Sequence, residues 1–555
     1  MTSENVPAGF RLWSIIYPAA PILVMLLVAW RWPHLGRQIF RRIENGWHRL
    51  ARRRRLGGLV VFLFSLALSL AISLLVRWPR PVIGDEFSYL LAAETFAQGR
   101  LANPPHPLWP HFESLHIIQQ PTYASKYPPA QALVMAAGMA MVGVPIAGVW
   151  FSVALGCAAV YWMLLAWLRP RHALLGGLLA AVHPIVLEWG QNYWGGAVAM
   201  LGGALTLGAF GRLWKSPRRR DGFILGLGLA IMANSRPFEG ALLAALLAVF
   251  TLIHGGIEDW RALIARIAIP AALVLAPAAA LMGYYNFRVT GSALRMPYAV
   301  HEETYAVAPP FLWQPARPEP GYRHESIRRF YTGYALDSYL AQRSPIGFLH
   351  KGVARKIGVL LRGYLATTVM ALALLVFPWV WRRERRQRVL WLILGLFLAG
   401  VFAETWMMPH YAAPAVGLLF LLTVDGWRLL RAWKVRGRRT GLWLARAAVI
   451  FSLLGAVHLA FRLDRDEKTS WAWIAERART ERELDSGCLV MVRYGPLHNA
   501  HQEWVYNAAE IDRAKIVWAR EMDEAGNRRL REYFADRKCL LLEVDDARPR
   551  LLPCR

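Results

Sequence analysis

Long apolar runs alternate with short polar stretches along most of this chain. The clearest runs are Leu56–Val76, Ile146–Leu168, Leu263–Tyr284, Ile357–Trp381 and Leu442–Phe461. Each has about 20 residues or more, the length that carries an α-helix across a ~30 Å hydrocarbon layer. The run Leu12–Trp30 has no basic segment before it and no small-residue cleavage site after it, so it reads as a retained span and not a signal peptide. Ala173–Gly190, Trp194–Leu213, Gly222–Asn234, Phe238–His254, Val389–Trp406 and His410–Trp427 complete a set of about 12 transmembrane helices. Pro128–Val144 is apolar but short and rich in Ala, Gly and Met, and is expected to lie at or dip into the membrane interface.

The pattern changes at the C-terminus, where charges balance and apolar runs shorten. Cys488–Tyr494, Lys515–Arg520 and Cys539–Val544 read as strands, with a helix over Asn527–Arg537. The expected fold class is therefore an all-α polytopic membrane domain carrying a small α/β extracytoplasmic domain. The expected units are residues 1–55 (one helix and a basic cytoplasmic segment), 56–462 (the membrane domain, with outer loops 77–145 and 286–356) and 463–555 (the soluble domain). Of the four cysteines, Cys157 falls inside a span. Cys488, Cys539 and Cys554 allow one disulfide, whose pairing three cysteines do not define.

The formal net charge of +28 raises the question of nucleic acid, which the placement of that charge answers. Arg31–Arg55, Arg212–Arg220, Arg382–Arg388 and Arg428–Arg446 enclose four basic clusters, each abutting an apolar span. Short basic loops beside spans mark the cytoplasmic side, and their natural neighbours are anionic lipid headgroups. Nucleic-acid binding is excluded on this reading. The long segments Arg77–Tyr127 and Asn286–Lys356 and the C-terminus then face outward.

Ionisable residues gather at the outward helix ends: Glu188, Arg236 with Glu239, Glu404 with His410, and Asp85 with Glu86. Carboxylates outnumber the cations that usually snorkel, which favours a shared outer cavity. No GxGxxG, P-loop, CxxC or HExxH pattern occurs. The most specific stretch is Gly84-Asp85-Glu86-Phe87-Ser88-Tyr89, an acidic pair just beyond a span, running into a helix that Gly99 ends. Ser125-Lys126-Tyr127-Pro128-Pro129-Ala130, followed by an apolar helix, closes the same loop. Together these resemble the first outer loop of GT-C glycosyltransferases, in the branch of protein mannosyltransferases and the lipid A aminoarabinose transferase. The resemblance covers about Leu56–Tyr284.

It implies transfer of one sugar from a polyprenyl-phosphate donor to a lipid, glycan or protein acceptor at the outer face of a membrane, most simply a bacterial inner membrane facing the periplasm. Asp85 and Glu86 are the catalytic candidates, with Asp85 the implied base and Lys126 the implied partner of the lipid phosphate. Arg236, Glu239, Arg295 and His301 are further substrate-binding candidates. Where the family usually has a second acidic residue, often Asp, this chain offers Glu188, with Asn192 as the alternative. His106, His111, His116 and His301-Glu302-Glu303 supply ligand types without diagnostic spacing. No cofactor is required on this reading, a divalent metal stays open, and these loop histidines are expected to be exposed. The rival readings are a lipid or glycan transporter using the same cavity, or a non-catalytic envelope assembly protein.

Overall fold

The computed structural model describes residues 37–254, 260–365, 385–469, 471–545 and 549–554, with isolated positions between 24 and 32 and between 370 and 381. Most of the span expected over Leu12–Trp30 and about half of that over Ile357–Trp381 lie outside the described residues.

A basic amphipathic helix, α1 (Arg37–Arg52), leads into the apolar α2 (Arg54–Leu75). The first long loop carries α3 (Gly84–Ala97) and a two-residue antiparallel ladder of β1 (Ile117–Ile118) and β2 (Ala124–Ser125). Next come α4 (Ala130–Val142), α5 (Pro145–Trp167), α6 (Pro170–Ala181), α7 (Pro184–Trp189), α8 (Gly196–Leu213), α9 (Arg219–Ala233) and α10 (Pro237–His254). Then α11 (Arg261–Thr290) begins with a π-helical stretch, Ile264–Ala268. The second long loop holds α12 (Pro297–Tyr305) and ends in α13 (Arg355–Tyr364). The chain returns through α14 (Arg385–Val401), α15 (Val416–Ala432) and α16 (Thr440–Lys468).

Proline explains several boundaries. Pro145, Pro170, Pro184 and Pro297 each sit in the first turn of a helix, where the missing N–H costs nothing. Pro184 also breaks what the apolar pattern presented as one span over Ala173–Gly190. His183 before it takes an extended backbone (φ −70°, ψ 127°) and caps α7, so two short helices replace one. Pro409 and Pro414 likewise make the start of the span expected at His410 a 3-10 turn, Pro409–Ala415.

Six helices among the described residues are long and apolar enough to cross a membrane: α2, α5, α8, α11, α16 and the continuous Pro409–Ala432. Helices α4, α10 and α14 are apolar but shorter. Among the described residues, then, only some of the expected twelve spans are full-length helices. Burial separates centre from rim: 83% of the apolar window in Pro409–Ala432 is inside the protein, against 11% in Arg261–Thr290. Two glycines permit the tightest central crossings. A Cβ on Gly148 of α5 would stand 1.7 Å from the Val134 carbonyl oxygen, and one on Gly203 of α8 1.9 Å from that of Pro414.

The bundle has two unlike ends. At one, Glu44 of α1 accepts hydrogen bonds from Arg431 and Arg446, both at 3.0 Å, and Trp47 donates to the Arg171 carbonyl at 2.9 Å. Basic clusters far apart in sequence thus share one end. The two long loops and the C-terminal region share the other. There α17 (Ala472–Glu483) precedes a four-stranded sheet in the order β4 (Ile516–Arg520), β3 (Cys488–Arg493), β5 (Lys538–Glu543), β6 (Arg550–Pro553). Strands β4, β3 and β5 are parallel, α18 (Glu524–Tyr533) crosses between β4 and β5, and β6 adds an antiparallel edge. The unbroken apolar run Leu489–Val492 suits a strand buried on both faces. Cys539 and Cys554 form a disulfide joining β5 to the residue after β6, and Cys488 is free. One face of the sheet has its own core, with Val490, Val492, Trp504 and Trp518, and the other shares one: Leu489, Val517 and Leu530 pack in one cluster with Phe87, Leu91 and Phe112 of the first long loop.

Candidate active site

Asp85 lies in the first turn of α3, where the helix dipole favours a negative charge. Glu86, one residue on, turns away from it. Its Oε2 accepts from the Val82 N–H at 2.7 Å and the Ile83 N–H at 3.3 Å, and its Oε1 from the Tyr193 N–H at 2.9 Å. With both oxygens occupied by backbone donors, Glu86 caps α3 and pins it to the α7–α8 turn. Burial pushes its carboxyl up to about 7 against the pull of those hydrogen bonds.

The ladder β1–β2 brings the other half of the site to α3. Ser88, one turn beyond Asp85, donates to the His116 carbonyl at 2.6 Å and bonds the Ser125 hydroxyl at 2.7 Å. Gly84 makes room, since a Cβ there would stand 3.0 Å from that of Leu115. His116 itself takes a left-handed backbone (φ 66°), a conformation costing a non-glycine residue about 1 kcal/mol or more and concentrated at functional sites. Its Nε2 stands 3.5 Å from Asp85 Oδ2, while the Tyr127 hydroxyl donates to Oδ1. The Asp85 side chain is 30% exposed, whereas Lys126 and Glu302 are each 6% exposed and joined at 3.2 Å.

Glu302 comes from α12, whose 298/301/302/305 face covers the ladder. Lys126 lies over the Tyr298 ring at 4.8 Å. The rings of His301 and His116 are 5.9 Å apart, and His301 Nδ1 is 3.5 Å from Glu302. Burial alone would raise the Asp85 carboxyl, but His116, the Tyr127 hydroxyl and Lys126 outweigh it and hold Asp85 below the usual carboxylate range. Burial, then Lys126, pushes His116 down to about 3 and His301 to about 4. Lys126 and His301 likewise overcome burial at Glu302 and pull it to about 2.

A second polar group extends the site toward the bundle. Arg236 pairs with Glu239 at 3.2 Å and lies 4.3 Å over the Tyr411 ring, and neighbouring His410 packs on Trp194 at 4.9 Å. Tyr89, stacked on Tyr127 at 4.6 Å, lies in the field of both Asp85 and Arg236.

Asp85, Lys126 and His301 are brought together, with Arg236 and Glu239 beside them. Glu188 pairs instead with Arg462 of α16, and Asn192 accepts from the Trp194 N–H at 3.0 Å in its own turn. Arg295 pairs with Glu303, both half-exposed. The loop histidines are not exposed as expected. His106, His111, His116 and His301 are buried, because α12 and the C-terminal sheet pack against the first long loop. His106 bonds Asp512 at 3.0 Å and His111 the Arg520 carbonyl at 2.8 Å. Tyr127 and Tyr298 were not singled out from the sequence, although Tyr127 stood in the quoted motif, and His116 was weighed only as a metal-ligand type. Among the described residues no three His, Cys, Asp or Glu side chains converge as a metal-ligand set.

No protein-family model matches this sequence, and no curated protein does. Solved structures do match. ArnT from Cupriavidus metallidurans bound to undecaprenyl phosphate superposes with a TM-score of 0.50 at 13% identity, over 90% of this chain and 93% of that one. The same protein in the apo state gives 0.51 at 12% identity, over 91% and 94%. The apo oligosaccharyltransferase of Archaeoglobus fulgidus gives 0.43 at 13%, over 73% and 56%. The chain is an integral membrane protein with the fold of ArnT, the lipid A aminoarabinose transferase, and so with the GT-C fold.

Proposed function

We propose that this chain is a membrane glycosyltransferase that moves one sugar from a polyprenyl-phosphate donor to an acceptor hydroxyl at the outer face of a bacterial inner membrane. The observation that carries the reading is an ionised, partly exposed Asp85 carboxylate grouped with Lys126 at the loop end of an ArnT-like bundle. That one ArnT structure holds undecaprenyl phosphate supports a lipid-linked donor. In this reading the acceptor oxygen attacks the anomeric carbon, and the sugar–phosphate C–O bond breaks with its electron pair leaving on the phosphate. Asp85 takes the hydroxyl proton. Lys126 and Arg236 stabilise the departing phosphate charge. Tyr127 and His116 orient Asp85, and Glu302 holds Lys126 in place.

The test is transfer from radiolabelled polyprenyl-phosphate sugars by purified protein. Asp85→Asn is expected to lower the rate by about 100- to 10,000-fold, the usual worth of a positioned base, with folding intact. Transfer at the parental rate by that variant would overturn the assignment. Flux of lipid or glycan without a covalent product would instead favour a transporter.

A further inference from the structure

A second candidate site lies on the opposite side of α3 from Asp85. Phe87 follows Asp85 by two positions, about 200° around the helix, and lines a cavity of about 520 Å³ between the first long loop and α17. Pro81, Phe87, Ile474 and Ala478 give it an apolar wall. Arg80, Arg477, Arg482 and Lys515 surround that wall with positive charge, and Glu481 is the one acidic residue in the lining. Glu481 already pairs with Arg477 at 3.0 Å. Arg477 is further fixed over the rings of Trp518 (5.0 Å) and Phe87 (5.7 Å). Among the described residues, the side chains of Arg80, Arg482 and Lys515 have no ion-pair or hydrogen-bond partner. Other arginines of the same region do: Arg493 pairs with Glu521 and Glu543, Arg520 with Glu503, and Arg531 with Glu524.

Three uncompensated cations around an apolar-walled cavity leave it short of an anion. Its depth says what kind. Arg80 follows the end of α2 by a few residues, and α17 follows the end of α16. Trp78 is 43% exposed, and Trp471 lies under Arg77 at 4.5 Å, an aromatic pair of the sort that marks headgroup level. We infer that this cavity binds the phosphate-bearing headgroup of an anionic lipid, with Arg80, Arg482 and Lys515 on the phosphate and the glycerol or first acyl carbons against Phe87 and Ile474. A free inorganic anion would use the cations and leave the apolar wall idle. The inference is independent of the proposed transferase activity.

The test uses the full chain in a neutral detergent, with binding measured for dihexanoyl phosphatidic acid, dihexanoyl phosphatidylcholine and inorganic phosphate. The wild type is expected to bind the phosphatidic acid at least tenfold more tightly than either of the others. Arg482→Glu with Lys515→Glu, both at exposed positions, should remove that preference while the unfolding midpoint stays unchanged. Arg482→Gln alone, a milder change, should weaken it several-fold. Lys126→Met separates this cavity from the candidate active site and should leave the binding in place. Equal affinity for inorganic phosphate would mean a free-anion site and overturn the lipid assignment. So would unchanged binding by the charge-reversed protein, or loss of binding in Lys126→Met alone.

Discussion

At the scale of single residues, the candidate site turns on how Asp85 is kept ionised while in contact with protein on most sides. His116, the Tyr127 hydroxyl and the Lys126 ammonium all favour the charged carboxylate. Removing one of those supports must raise the Asp85 pKa. Tyr127→Phe deletes the hydroxyl and keeps the ring stacked on Tyr89. The acidic limb of the pH–rate profile should therefore move upward in the variant, with the plateau above about pH 7 little changed. A profile that superimposes on the wild type would remove Tyr127 from the base's support. Asp85 and Lys126 could be read from the chain because each stands in a short contiguous motif. Glu302 and Tyr298 could not be tied to them, because only the packing of α12 on the β1–β2 ladder brings residues some 170 positions apart to Lys126. Glu86 is the converse case: adjacent to Asp85 in sequence, it points elsewhere because a carboxylate two positions into a helix is within reach of the unpaired N–H groups at its start.

At the scale of elements, the apolar periodicity located helices well and their ends poorly. Prolines and a π-helical start moved or split several of them, and run length is blind to both. The strands β3, β4 and β5 were legible from their apolar runs. Strand β6 was not, since Arg550–Pro553 is too short to show a pattern and is held by its neighbour and the Cys539–Cys554 bridge. The same α3 that carries Asp85 also ties the C-terminal region down: Glu94 accepts from the Ala509 N–H at 3.1 Å. Burial pushes its carboxyl from an ordinary 4.5 up to about 7, against that hydrogen bond. The folded chain then binds more protons here than the unfolded chain between those values, so this contribution to stability is present below about pH 4.5 and is lost as pH rises through about 7. Glu94→Gln keeps the acceptor and removes the titration. Its unfolding midpoint, followed by thermal denaturation in detergent, should fall less than that of the wild type between about pH 5 and 8. Parallel curves would show that Glu94 ionises normally in the fold.

For the whole molecule, the decisive arrangement is that the described basic clusters, around Arg52, Arg212 and Arg431, gather at one end of the bundle and both long loops and the sheet at the other. The arginines alone suggested that sorting, and contacts such as Glu44 with Arg431 and Arg446 give it physical form. The positive-inside rule predicts that the basic end faces the cytoplasm, and that orientation decides which donors can reach Asp85. Single cysteines at two exposed positions test it: Gln98, just past α3, and Ser216, between α8 and α9. The background is low, because Cys157 and Cys488 are buried and Cys539 and Cys554 are bonded. A membrane-impermeant maleimide should label Gln98→Cys on intact cells and Ser216→Cys only after permeabilisation. The reverse pattern would place Asp85 in contact with the cytoplasm, where nucleotide-activated sugars are at hand, and the case for a lipid-linked donor would then lose its compartment.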